Sequence, residues 1–296
     1  MFSYRHAFHA GNHADVLKHT TLIAIAQYLA QKDTPLGVID THAGAGLYRL
    51  DGDFASTSGE ALEGIARILA ADPATLAPAL REYVEMVLRF NPGSRLRTYP
   101  GSPALLVQLL RPQDRLRLFE LLPQDARSLT GNMLQLQENK QVQVLTEDGF
   151  AGARKFLPPS DRRGLLLCDP SYEIKTDYGK VVTLVEDSLR RFATGCYAIW
   201  YPLIGRQEAH DLPKRLKALA AKAGKNWLHA TLTVKSGKVQ TLADGQVKRP
   251  GLPASGMCVI NPPFTLHAAL EEALPQMVQL LGQDKNAGFT LESTGR

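Results

Sequence analysis

Asp169-Pro170-Ser171-Tyr172 is the stretch best suited to chemistry. It follows Gly164-Leu165-Leu166-Leu167-Cys168, an apolar run that reads as a buried strand of a parallel sheet. Open α/β sheets bind ligands at the carboxyl ends of such strands. Asp169 supplies acceptor oxygens, and Pro170 offers a carbonyl with no N–H of its own. Tyr172 offers a ring able to stack on a flat base. Acceptors beside a stacking face suit an exocyclic amine on a nucleobase. The same four residues also make an ordinary polar turn, so the rest of the chain has to decide.

Three other strand-like runs end in acids. Leu36-Gly37-Val38-Ile39 closes on Asp40 and runs into Thr41-His42-Ala43-Gly44-Ala45-Gly46. An acid followed by Gly-x-Gly reads as a nucleotide-cofactor turn, in which glycine permits close backbone approach. Arg49 stands where a dinucleotide fingerprint wants its third glycine, which disfavours an NAD site. Leu116–Phe119 closes on Glu120, and Gln141–Leu145 leads to Glu147-Asp148-Gly149. Helical patterns separate these runs. The chain therefore reads as a βαβ series, a Rossmann-like α/β sheet with acids lined along its carboxyl edge.

The elements that position these acids follow from periodicity. A helix is predicted over Asp15–Gln31 with Asp15 as its N-cap, which places Lys18 and His19 in its first two turns. Residues 50–97 break the α/β rhythm and read as a helical insertion in a domain formed by 1–49 and 98–296. Within it, helices are expected from Glu60 to about Ala70 and from about Leu80 to Phe90. Tyr99-Pro100-Gly101-Ser102-Pro103 is a rigid turn into a helix, with Ser102 as a cap or ligand contact. Later strands are Cys196–Tyr201, Leu228–Val234 and Gly256–Ile260. A basic loop carrying Lys235, Lys238, Lys248 and Arg249 lies between the last two. Asn261-Pro262-Pro263-Phe264 imitates the Asp169 turn, but its late place in the chain assigns it to the far edge of the sheet, as a structural turn. The polar stretch from Gly282 reads as a loosely held tail.

Composition narrows the classes. At 296 residues and 44% hydrophobic content the chain can bury a full core, and its net charge of +5 is compatible with a polyanionic partner. No apolar run nears the roughly 20 residues of a membrane span. Cys168, Cys196 and Cys258 each sit inside an apolar run and read as buried thiols of a reducing compartment, so a cytoplasmic location is expected. His6, His9, His13 and His19 cluster near the start. A metal-dependent hydrolase built on them is one competing class, but the spacing lacks a tight ligand pair with a carboxylate, and no metal is expected. A non-catalytic RNA-binding chain is the other.

The order of parts (acid with Gly-x-Gly, Glu at the next strand, Asp-Gly, then Asp-Pro-x-Tyr) resembles the S-adenosylmethionine-dependent methyltransferases. Several longer blocks resemble the RlmJ family more closely. They are Met1–His6, His9–His19, Asp40–Gly46, Tyr99–Pro103, Lys175–Tyr178, Arg191–Gly195 and Trp200–Pro202. The resemblance implies N6 methylation of one adenine in 23S ribosomal RNA, on a Rossmann-like methyltransferase domain with a helical insertion after its first strand. It implies S-adenosylmethionine contacts from His19, His42, Ser102, Glu120, Asp148, Gly149 and Asp169. Lys18, Asp40 and Gly44 lie in the matching cofactor-side blocks. Asp169, Pro170 and Tyr172 would hold the flipped target base, and Tyr4 would contact the RNA. A monomer is expected. The chain departs from the family at Ser171, where the family carries a second proline.

Overall fold

The computed structural model describes residues 6–50, 59–93, 95–136, 141–238, 240–241, 247–248 and 251–295. Tyr4 and Arg249 lie outside the described residues.

An eight-stranded sheet organises the chain. Its strands are β1 (Gly37–Asp40), β4 (Arg115–Phe119), β5 (Val142–Leu145), β6 (Gly164–Cys168), β7 (Cys196–Leu203), β8 (Trp227–Thr233), β11 (Ala254–Ile260) and β12 (Gly288–Ser293). Two short antiparallel pairs stand apart from it, β2 (Leu47–Arg49) with β3 (Thr98–Pro100), and β9 (Gln240–Thr241) with β10 (Val247–Lys248). The order across the sheet is β12-β8-β11-β7-β6-β1-β4-β5. β7, β6, β1, β4 and β5 run parallel, and β11 runs antiparallel to both β7 and β8. The chain leaves β1 towards β4 and β5, then returns to place β6 on the other side of β1. That reversal opens a crevice at the carboxyl ends. Asp40 pairs in register with Leu118 on one side and Leu167 on the other, so Glu120 and Asp169 lie level with each other, two residues beyond Asp40 at the same edge.

Alternation along the strands builds two cores. Leu165 and Leu167 face one, with Val38, Leu116 and Ala198; Leu166 and Cys168 face the other, with Ile39, Phe119 and Ile199. Each buried leucine of β6 contributes about 1.5–3 kcal/mol over an exposed one. All three cysteines are buried and free. Burial pushes the Cys196 and Cys258 thiols up to about 12 and the Cys168 thiol higher still.

Helix α1 (His13–Ala30) lies across the first core. It is capped by Asn12, whose side-chain oxygen accepts from the N–H groups of Ala14 and Asp15 at 2.9 and 3.0 Å. Asp15 is therefore not the N-cap. It sits in the first turn, where the helix dipole favours an acid, and accepts from the Gly11 N–H at 2.9 Å. Residues 13–23 of α1 are buried without a break, so the helix is covered all round.

The insertion supplies part of that cover. Its helices α2 (Glu60–Glu63), α3 (Ile65–Leu69) and α4 (Pro78–Arg89) are joined to the first core through Ile65, Ile68, Leu80, Tyr83 and Val87. The single helix expected from Glu60 to Ala70 is broken at Gly64. The Gly11 carbonyl enters there and accepts from the Ile65 N–H at 2.8 Å, and a Cβ on Gly64 would stand 2.0 Å from that carbonyl oxygen.

Helices α5 (Ser102–Leu109), α6 (Pro123–Leu136), α7 (Gly149–Gly152), α8 (Thr176–Arg191), α9 (Gln207–Lys222) and α10 (Leu266–Leu281) complete the layers. Two expectations fail at the C-terminal end. The polar tail forms β12, which pairs with β8 from Gly288 to Ser293. Asn261 is not at the far edge but follows β11, between β7 and β8. Because β11 is antiparallel, its end lies at the amino edge of the parallel strands, beside Tyr197. The Asn261 side chain donates to the carbonyls of Ala193 and Gly195 at 3.0 and 2.7 Å, a structural role.

Candidate active site

The loops after β1, β4, β5, β6 and β7, with the start of α1, enclose a cavity of about 430 Å³. That is within the roughly 300–1,000 Å³ range of small-molecule sites. Lys18, His19, His42, Gly44, Ser102, Glu120, Asp148, Asp169, Pro170 and Tyr172 all line it. Asp40 and Gly149 stand behind the wall.

Asp169 follows β6 and meets Lys18 coming from α1. Lys18 Nζ is 2.6 Å from Asp169 Oδ2 and 3.0 Å from Asp15 Oδ1. His6 Nε2 is 3.1 Å from the other Asp15 oxygen. Burial opposes the charge on Lys18, but the Asp15 and Asp169 carboxylates outweigh it and hold the ammonium well above the usual lysine range. Burial also opposes the Asp15 carboxylate, yet Lys18 and His6 hold it well below the usual range. Asp169 Oδ1 is buried with no hydrogen-bond partner.

Asp40 is fully buried. Its carboxylate accepts from the Ser102 hydroxyl at 2.6 Å and the His42 N–H at 3.2 Å, and so orients two residues that do line the cavity. Burial and the Asp169 carboxylate beside it push Asp40 up to about 7. Glu120 accepts from the Gly44 N–H at 2.9 Å and the Leu122 N–H at 2.8 Å, which fixes it against the glycine turn. Burial raises the Glu120 carboxyl above its ordinary pKa as well. Gly44, at φ +60°, leaves no room for a side chain, since a Cβ would meet the Tyr48 hydroxyl at 2.2 Å. Asp148 caps α7 through the Phe150 N–H at 2.9 Å. Gly149 is needed for packing, because a Cβ there would lie 2.0 Å from the Thr41 carbonyl oxygen.

The four clustered histidines have separate partners. His6 pairs with Asp15, His9 with Glu60 at 3.0 Å, and His13 with the Leu252 carbonyl at 3.0 Å. His19 Nδ1 is 2.7 Å from the Tyr99 hydroxyl, while its Nε2 is buried and unpartnered. Burial pushes His19 down to about 3, so its ring is neutral. Among the described residues no three His, Cys, Asp or Glu side chains gather as a metal group.

Tyr172 departs from the expected picture. Its ring is only 2% exposed and packs against Tyr178, with centroids 4.6 Å apart. Its hydroxyl donates to the Trp200 carbonyl at 2.7 Å. In this conformation the ring shapes the wall from behind and presents no open face to a base. Among the lining residues to which the sequence assigns no site role are Trp200 and Arg206. Trp200 was legible as part of an apolar strand ending in proline. Arg206, which lines the cavity and donates to the Tyr172 carbonyl at 2.9 Å, carried no signal at all.

A parallel sheet with an antiparallel strand slotted between β7 and β8 and a second antiparallel strand at its edge, and acids gathered at its carboxyl edge around one crevice, is the architecture of a Rossmann-like class I methyltransferase. The comparisons with known proteins agree. The family model described as "Ribosomal RNA large subunit methyltransferase D, RlmJ" matches residues 33–293. Ribosomal RNA large subunit methyltransferase J of Escherichia coli (strain K12) is 45% identical over 275 residues, covering 93% of this chain and 92% of that protein. Its namesake in Haemophilus influenzae is 41% identical over 293 residues, covering 99% and 98%. A crystal structure of a Legionella pneumophila protein superposes with a TM-score of 0.84 at 31% identity, covering 96% of this chain and 98% of that one. The chain belongs to the RlmJ family of ribosomal RNA large subunit methyltransferases. It is an enzyme of ribosomal RNA methylation, and S-adenosylmethionine is its methyl donor.

Proposed function

We propose that the enzyme methylates N6 of an adenine in 23S ribosomal RNA, with Asp169 and Pro170 holding the target amine. The observation that carries this is Asp169 Oδ1, a buried acceptor without a partner at the cavity wall, beside a proline carbonyl. A desolvated acceptor left unpaired is costly, and a donor from substrate satisfies it.

The cavity fits the cofactor by its acceptors. Asp148 keeps one carboxylate oxygen beyond its cap bond for an adenine amine. Glu120 is fixed by two backbone donors in a position to accept from ribose hydroxyls. His19 Nε2, unpartnered, and Ser102 and His42, both oriented by Asp40, line the same space near Gly44 and Gly149. The bound cofactor supplies an electrophilic methyl group on a positively charged sulfur.

The protein's own work is positioning. An adenine amine is a weak nucleophile because its lone pair is delocalised into the ring. Asp169 Oδ1 and the Pro170 carbonyl accept the two amine hydrogens and favour a more tetrahedral nitrogen, whose lone pair then points at the methyl group. Such orientation supplies roughly 7–11 kcal/mol of a barrier. Lys18 keeps Asp169 oriented through Oδ2, and the carboxylate takes the released proton, directly or through water. A target adenine within a duplex is first extruded, which costs less for an unpaired base. Tyr172 supports the loop from behind; stacking on the base requires its ring to turn outward from Tyr178.

The test is transfer from labelled S-adenosylmethionine to deproteinised 23S rRNA with chelator present, for the wild type and Asp169→Ala, followed by nucleoside analysis. N6-methyladenosine that disappears in the variant supports the reading. Label in another nucleoside refutes it.

A further inference from the structure

We propose that Arg206 is a positioning residue that holds the Asp169–Tyr172 loop in its reactive shape, in place of the rigidity that Ser171 does not provide. This rests on the assignment of that loop to the target amine.

The loop has an unusual backbone. Tyr172 adopts φ +53°, a left-handed conformation that bulky residues seldom take. Such a residue stays there only where its surroundings hold it. Two groups from one segment do so. The Tyr172 hydroxyl donates to the carbonyl of Trp200, in β7, at 2.7 Å. Just beyond β7, Arg206 Nη1 donates to the Tyr172 carbonyl at 2.9 Å and lies 3.4 Å from the Glu173 carbonyl. Tyr172 is therefore gripped at its side chain and at its backbone by the same stretch of chain. Among the described residues the hydrogen bonds of Arg206 go to carbonyls at the loop, while the nearby Glu208 carboxylate is paired with Lys175 at 3.6 Å.

Ser171 makes that grip matter. Proline at this position would fix φ near −65° and restrict Pro170 before it. Serine leaves both free. Among the described residues its N–H takes part in none of the backbone hydrogen bonds of loops and turns, and its φ is not in the left-handed region, so no backbone bond there stands in for the ring. The Arg206 contact comes one residue later and fixes the exit of the loop instead.

Arg206 also lines the cavity, so a direct contact with an RNA phosphate is the competing role. The experiment separates them with four proteins: wild type, Arg206→Ala, Ser171→Pro and the double variant. Under the proposal Arg206→Ala lowers kcat by about 10- to 100-fold, the scale of a small misplacement. KM for RNA and the affinity for S-adenosylmethionine stay within about threefold. Ser171→Pro recovers about tenfold of the lost rate in the Arg206→Ala background, yet raises the wild-type rate less than about threefold, a non-additivity that marks coupling. Unchanged kcat with a raised KM and a flatter salt dependence of RNA binding would mean a phosphate contact and overturns the proposal. So do additive effects.

Hydrogen exchange of the amides in residues 171–175 gives a readout independent of activity. Exchange about tenfold faster in Arg206→Ala, and slowed again by Ser171→Pro, supports the grip. Unchanged exchange overturns it. If the wild type forms no N6-methyladenosine, the assigned reaction fails, while the exchange data still decide whether Arg206 holds the loop.

Discussion

Lys18 Nζ lies between two buried carboxylates, 2.6 Å from Asp169 Oδ2 and 3.0 Å from Asp15 Oδ1. One ammonium thus joins the start of α1 to the end of β6, and through Asp15 it reaches His6 and the Gly11 N–H. The Lys18 side chain is 6% exposed, so water does little to screen the charges it balances. Lys18→Met removes the ammonium from between those carboxylates and leaves Asp15 with only His6 and the Gly11 N–H. Unfolding in urea should show a loss of roughly 3–5 kcal/mol, the usual result of breaking a buried pair by removing one partner. A loss under 1 kcal/mol would show that the carboxylates are hydrated after all.

Asp40 sets a pH dependence of stability. Its carboxyl is raised from the ordinary value to about 7 by burial and by Asp169. A raised folded-state pKa means that this group's contribution to stability is fully present below about pH 4 and is lost as pH rises through about 7. Asp40→Asn keeps an acceptor for the Ser102 hydroxyl and cannot ionise. Relative to Asp40→Asn, the wild type should lose stability of a few kcal/mol between pH 4 and 7. Parallel melting curves of the two proteins over that range would reject the assignment.

Gly64 is one point, beside the Glu60 contacts with His9 and Asn12, where the insertion touches the N-terminal loop. A methyl group there would stand 2.0 Å from the Gly11 carbonyl oxygen, a backbone atom that has no side-chain freedom to yield. Gly64→Ala should cost about 1–3 kcal/mol by overpacking and lower the melting temperature. Gly59→Ala is no control, because Gly59 is itself left-handed at φ +64°. Gly179→Ala is, since nothing lies within 4 Å of that position.

Ser171→Pro should leave folding intact and raise the methylation rate modestly, about two- to threefold, by narrowing the backbone freedom of the loop. A single-turnover assay with saturating RNA and methyl donor reads this step directly. Equal or lower rates in the proline variant would show that serine costs the loop nothing.

Much of this site was legible because its chemistry sits at strand ends. Asp40, Glu120, Asp148 and Asp169 each follow an apolar run, and parallel pairing does the rest by bringing those ends to one edge of the sheet. What escaped the sequence depends on which chain passes nearby. Asp15 looks like a cap because it precedes an apolar stripe, yet the cap is Asn12, and only the fold reveals that the Lys18 beside Asp15 also reaches Asp169. The ring of Tyr172 reads as a stacking platform until Tyr178 is seen to cover it. Residues 288–293 are too polar to announce a strand, and they become one because β8 offers an unpaired edge. Asn261 imitates Asp169 in local pattern, and strand direction alone sends it to the opposite edge of the sheet. Arg206 acts through backbone carbonyls, which no residue type in the sequence can advertise.

The three cysteines have a practical consequence. Cys168, Cys196 and Cys258 lie in β6, β7 and β11, all buried, and burial holds each thiol far from its reactive, ionised form. A maleimide dye or spin label offered to the folded enzyme should therefore find nothing to attack. A single cysteine placed at an exposed position, such as Lys175 beside the loop, would then be the one labelled site. The native chain is already the silent background that distance and fluorescence measurements of loop motion require, with no cysteine to remove first.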